Sequence, residues 1–151
     1  MLRARFNDAL KTAMKEKNAR TVSTVRLILA KLKERDIEER GKGNAEGISD
    51  AEIQQMLQGM MKQRRESIEL YEKGGRQELA QQEREEIAVI EGFLPKQMGE
   101  AELEAAVKAA IAETGASVAK DMGRVMAVLR ERHAGQLDMS KASAAAKRLL
   151  G

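Results

Sequence analysis

Residues 62–98 read KQRRESIELYEKGGRQELAQQEREEIAVIEGFLPKQM, and their reading decides the fold class. Before Gly74–Gly75, Ile68 and Tyr71 continue an apolar stripe at helical spacing; after it, Leu79, Ile87, Ile90 and Leu94 repeat in the same way. The glycines stop the first helix, because glycine takes the left-handed turn at a helix end without steric cost. Pro95, the only proline, ends the second, since proline disfavours helix at the residue before it. The stretch is therefore a charged helical hairpin. With Tyr71 facing Leu79 across the turn, Arg64 falls opposite Glu86 and Ser67 near Glu83. Glu83 also lies on the apolar stripe between Leu79 and Ile87, where an unpaired carboxylate costs several kcal/mol. The favoured reading of Arg64, Arg76, Glu83, Glu86 and Pro95 is structural: ion pairs hold the hairpin register and the proline closes it. The rival reading is a carboxylate pair for acid–base work or metal binding, and no histidine or nucleophile accompanies it.

Toward the N-terminus the helical pattern continues. Ser49 followed by Glu52 is a capping box, with Ile48 and Ile53 placed as a hydrophobic staple. Ile53, Met56, Leu57 and Met60 carry that helix into the hairpin. GKGNAEG, residues 41–47, is a polar, turn-rich loop expected to be mobile. Before it, a helix capped by Asn18 places Val22, Val25, Leu29 and Leu32 on one face and becomes charged, Ile37 apart, over residues 34–40. A first helix, over residues 2–17, aligns Phe6, Ala9, Leu10, Ala13 and Met14. Toward the C-terminus, three shorter helices are expected over residues 100–113, 118–132 and 139–150, capped by Gly99, Ser117 and Asp138. Gly123, inside DMGRVM, is expected to mark close helix packing. No strand pattern, fixed-period repeat or low-complexity tract is present. The expected architecture is all-α: an N-terminal helical domain over residues 1–95 that contains the hairpin, and a C-terminal three-helix domain over residues 96–151.

Composition removes several classes of function. The chain has no cysteine, so disulfides, thiolate catalysis and cysteine-ligated metal sites are excluded. No apolar run approaches the ~20 residues of a membrane-spanning helix, and no signal-peptide core is present. MLRARF at the start is Arg-rich but runs into an amphipathic helix, and it reads as part of the fold. With aromatics limited to Phe6, Tyr71 and Phe93, the nine methionines are expected to fill the core. Residues 1–40 hold 11 basic and 6 acidic side chains, residues 41–95 hold 7 and 11, and residues 96–151 hold 9 and 7. A polyanion should therefore prefer the ends.

Lys120, Arg124, Lys141, Lys147 and Arg148 lie on or beside the last two helices, and Lys120 and Arg124 are four apart and share a face. They are the candidate nucleic-acid-binding residues. The helix starts near Ser117 and Asp138 offer backbone N–H groups that can hold phosphate. Few aromatics argue against stacking platforms for single-stranded RNA, so RNA would bind as a folded shape through its backbone. The competing reading is a solvated charged face. His133, the only histidine, reads as a helix-end residue suited to the dipole.

Three segments carry a family resemblance: KQRRESIELYEKGGRQELAQQEREEIAVIEGFLPKQ, then GASVAKDMGRVMAVL, then AGQLDMSKASAAAKRLL. In this order they resemble the small bacterial YqeY-type proteins, relatives of the tail domain of the B subunit of glutamine-dependent tRNA amidotransferases. The matching residues are Gln63, Arg64, Gly75, Arg76, Leu79, Glu83, Glu86, Leu94, Pro95, Asp121, Met122 and Gly123. The resemblance implies an N-terminal helical part and a compact three-helix C-terminal part. It also implies a link to carbon–nitrogen ligase activity with glutamine as amido-N-donor. The related tail contacts tRNA while other domains transamidate mischarged Glu-tRNA or Asp-tRNA. That chemistry needs a glutaminase site, a site for ATP-dependent activation and a route between them; this sequence shows no nucleophile–base pair or nucleotide loop. The expectation is a cytoplasmic accessory, not catalytic alone, without cofactor or metal, that binds tRNA or a tRNA-containing complex. The alternative is a helical protein-interaction adaptor without RNA binding.

Overall fold

Capping and breaking residues set the helix limits in the computed structural model, which describes residues 1–151. The chain is all-α. Its helices are α1 (Leu2–Lys15), α2 (Ala19–Gly41), α3 (Asp50–Lys73), α4 (Gln77–Glu91), α5 (Glu100–Thr114), α6 (Met122–Arg132) and α7 (Met139–Leu150), with a 3-10 turn at Ala119–Asp121 before α6. None is long and apolar enough to cross a membrane. Two compact units divide the chain, Met1–Leu94 and Pro95–Gly151, and each has an apolar core of its own.

In the first unit α3 and α4 pack along each other, α1 lies on α2, and α2 also meets α4. Phe6, Val25, Ile28, Ile53, Leu57, Met61 and Ile90 are fully buried between them. Burying a side chain of this size contributes about 1.5–3 kcal/mol. The Phe6 and Phe93 rings meet edge to face at 4.8 Å, a favoured aromatic geometry. α3 supplies three buried methionines, Met56, Met60 and Met61, whereas Met1 and Met14 are exposed.

Several helix ends follow from single residues. The Asn18 side chain accepts from the Thr21 N–H, and Ser49 accepts from the Glu52 N–H at 3.2 Å. Lys17 occupies the left-handed region (φ 58°) in the tight turn between α1 and α2. Gly75 does the same after α3 (φ 72°). α4 ends at Glu91, before Pro95 is reached, and Arg5 reaches across from α1 to the carbonyls that follow. It donates to Gly92 O at 3.0 Å and to Phe93 O at 3.4 Å, and its guanidinium stands 5.6 Å from the Phe93 ring centroid. Phe93 can then turn into the core.

Met14, expected on the core stripe of α1, is 53% exposed because the stripe faces α2 through Phe6 and Ala13 instead. The charged tail of α2 does not all face solvent: Ile37 is exposed, whereas Asp36 beside it is only 8% exposed. Its Oδ1 accepts from Arg3 Nη2 at 2.8 Å and from the Ile48 N–H at 2.9 Å, and Arg3 Nη2 also donates to Ile48 O at 2.7 Å. This node ties the far end of the 41–47 loop to α1 and α2. Gly47 permits it, with φ +81° and only 2.2 Å between an added Cβ and Asp36 Oδ1.

The second unit packs α5, α6 and α7 against one another around Leu103, Val107, Ala110, Val125, Leu129 and Ala146. Gly115 ends α5 in the left-handed conformation. Gln97 Nε2 donates to Pro95 O and to Gly135 O, and the Met98 N–H donates to Gln136 O, which fastens the segment before α5 onto the loop before α7. Gly123 does not mark close packing. An added Cβ there meets nothing within 4 Å, because the glycine lies on the exposed side of the first turn of α6.

Candidate nucleic-acid interface and hairpin ion-pair cluster

The inner faces of α3 and α4 hold a compact set of charges. Arg64 Nε donates to Glu86 Oε2 at 2.8 Å and lies 4.0 Å from Glu83. Arg64 also donates to Met60 O one turn earlier on its own helix. From α2, Arg20 Nη1 approaches the other Glu86 oxygen at 3.8 Å, and its Nε lies 3.3 Å from Glu85 Oε2 without hydrogen-bond alignment. Glu86 is thus held between two guanidiniums. Burial pushes the Glu83 carboxyl above the usual carboxylate range, neighbouring Glu86 adds to the rise, and Arg64 and Arg20 partly offset it. The cluster joins three helices. Arg76 contributes through its backbone only: its N–H donates to Tyr71 O at 2.7 Å, and its exposed side chain makes no ion pair. No group of three His, Cys, Asp or Glu side chains is placed to hold a metal ion.

The basic residues of the second unit divide into two sorts. Arg124 is bound at 2.8 Å to Asp121 and donates to Thr114 O, and Arg148 is bound at 3.1 Å to Glu104. Lys120, Lys141 and Lys147 are exposed and carry no carboxylate partner. The helix starts differ from the sequence expectation. Asp121 Oδ2 accepts from the N–H groups of Ser117 and Val118, so Ser117 is a donor in a turn and not the side-chain cap of α6. These bonds and the Arg124 contact hold the Asp121 carboxyl below the usual carboxylate range, with the Ser117 N–H the largest cause. At α7, Asp138 Oδ1 accepts from Ser140 N–H and Lys141 N–H. The backbone donors that sequence reasoning offered to phosphate at Ser117 and Asp138 are therefore occupied by carboxylates of this chain.

The sequence model of the family described as Yqey-like protein matches residues 3–150. The chain belongs to the Yqey-like protein family. A curated relative is altered inheritance of mitochondria protein 41, mitochondrial, from Pyrenophora tritici-repentis (strain Pt-1C-BFP). It is 29% identical over 134 residues, which span 85% of this chain and 71% of that protein.

Sequence reasoning on this Yqey-like chain missed two residues that the structure uses. Arg20 joins the hairpin charges from a third helix, and one-dimensional spacing carries no signal for that. Asp36 was readable: it lies four residues after Leu32 on the apolar stripe of α2, as Glu83 lies four after Leu79. A carboxylate at such a position requires a partner.

Proposed function

We propose that this Yqey-like protein is a noncatalytic accessory of the translation apparatus whose second unit binds folded RNA, tRNA foremost. Such a role fits a cytoplasmic location. The observation that carries the reading is the set of exposed lysines, Lys120, Lys141 and Lys147, that no carboxylate of the chain neutralises. The resemblance to the amidotransferase tail domain supplies the class of RNA. Arg124 and Arg148 serve this reading only by leaving Asp121 and Glu104 for a phosphate, an exchange that the stronger charge-assisted pairing of guanidinium with phosphate permits.

The test is a titration of the whole protein with bulk tRNA and with an unstructured RNA of equal length, at three salt concentrations. Preference for tRNA with a steep salt dependence supports the reading. Lys120→Ala, Lys141→Ala and Lys147→Ala should each lower the salt slope by about one for every phosphate contact removed. Equal, weak binding to both RNAs would reject it in favour of the adaptor reading. Glutamine-dependent ammonia release by the purified protein would overturn the noncatalytic part.

A further inference from the structure

α2 is 23 residues long and buries only one side. Its opposite side exposes Leu27, Ala30, Glu34 and Ile37, spaced alternately by three and four residues. That is the seam period of a helix that packs on another helix. Leu27 is 48% and Ile37 57% exposed. At its N-terminal end this side runs into a shallow groove lined by Met14, Lys17, Ala19, Val22, Ser23 and Arg26, where Met14 adds a third exposed large apolar side chain.

The charges around this surface discriminate among occupants. Lys17, Arg26 and Lys33 are exposed on its rim and have no carboxylate partner. Glu34, within the seam, is already held by Lys31 at 3.6 Å. A second copy fits poorly. In a two-fold antiparallel pairing that sets Leu27 against Ile37 and Ala30 against Glu34, Lys31 meets its own copy, Lys33 meets its own copy, and Arg26 meets Arg40. Like charges at these flanking positions oppose association. A nucleic acid would use the cations and leave Leu27, Ile37 and Met14 without contact. A helix that is apolar on one stripe and acidic beside it satisfies both sets.

We propose that the exposed side of α2 and the adjoining α1–α2 groove dock an acidic amphipathic helix of a partner protein. Its apolar side chains cover Leu27, Ile37 and Met14, and its carboxylates face Lys17, Arg26 and Lys33. This is the helix-in-groove mode of recognition. It is independent of RNA binding by the second unit.

Two labelled designed peptides of about three heptads, both with Leu at the seam positions, one flanked by Glu and one by Lys, test it against the full-length protein. Fluorescence anisotropy should show the Glu-flanked peptide binding at least about tenfold more tightly than the Lys-flanked one. Leu27→Asn with Ile37→Asn should weaken the Glu-flanked peptide by about the same factor with unchanged helicity and melting. Arg26→Glu with Lys33→Glu should reverse the preference between the peptides. Four results would overturn the proposal: binding to neither peptide, equal binding to both, indifference to the Leu27 and Ile37 changes, or a dimer in sedimentation that those changes dissolve. Loss of tRNA binding on Arg26→Glu with Lys33→Glu, with peptide binding unchanged, would reassign the surface to RNA.

Discussion

At the scale of single residues, two buried polar arrangements hold the first unit in register, and they respond differently to change. Asp36 accepts two hydrogen bonds in its node, so Asp36→Ala leaves the Ile48 N–H without an acceptor and the part-buried Arg3 guanidinium without its counter-charge, with only Ile48 O still accepting from it. A loss of about 3 kcal/mol is expected, read from the urea midpoint. Gly47→Ala should cost about 2 kcal/mol, because its backbone is left-handed and its Cβ would overlap Asp36. Glu83 behaves in the opposite sense. Its folded pKa lies above its unfolded one, so the fold holds this proton more tightly than the unfolded chain. The stability attached to it is complete below the unfolded value and is lost as pH rises through the folded value. Glu83→Gln should therefore melt higher than the parent at neutral pH and flatten the mildly acidic limb of the profile, whereas Glu86→Gln, which abandons two guanidiniums, should melt lower. Asp121 has a lowered pKa, so its contribution is present above the unfolded value and disappears as pH falls through the folded one. Melting temperatures across an acid-to-neutral series separate the two signs. Glu83 was legible as a carboxylate in need of a partner; that Arg20 joins the cluster through Glu85 and Glu86 was not, because a contact between distant helices leaves no periodic trace.

At the scale of helices, ends were more legible than faces. Ser49, Asn18 and Asp138 cap where their side chains and spacing say they should, since a cap needs only its own next three residues. Ser49→Ala and Asp138→Ala should each cost about 1 kcal/mol, with the loss at Asp138 confined to exchange protection in the first turns of α7. The start of α6 was misread because Asp121 folds back on Ser117 and Val118 and interposes a 3-10 turn, a competition that Asp wins over a serine hydroxyl by charge. Faces depend on neighbours. Met14 has core chemistry at core spacing and still faces solvent, because α2 meets α1 on the Phe6–Ala13 side. The turn between these helices also carries an avoidable strain. Lys17→Gly relieves a left-handed non-glycine residue and should raise stability by up to about 1 kcal/mol, measured by chemical denaturation.

At the scale of the whole molecule, the all-α class was legible from the absence of any alternating pattern, whereas the convergence of particular cations was not. Each unit has a core drawn wholly from its own residues. A fragment of residues 95–151 should therefore remain helical and melt cooperatively, though from a small core and at modest temperature, as circular dichroism would show. The distribution of methionine makes the full chain its own chronometer. Met14 meets peroxide at the rate of an open thioether, while Met56, Met60 and Met61 are sealed between helices and form sulfoxides only during the moments when α3 lifts away. Once formed, a sulfoxide cannot be resealed without burying a polar group, so each such event is recorded in mass. The ratio of the two oxidation rates, read by peptide mapping, reports how often the interior opens.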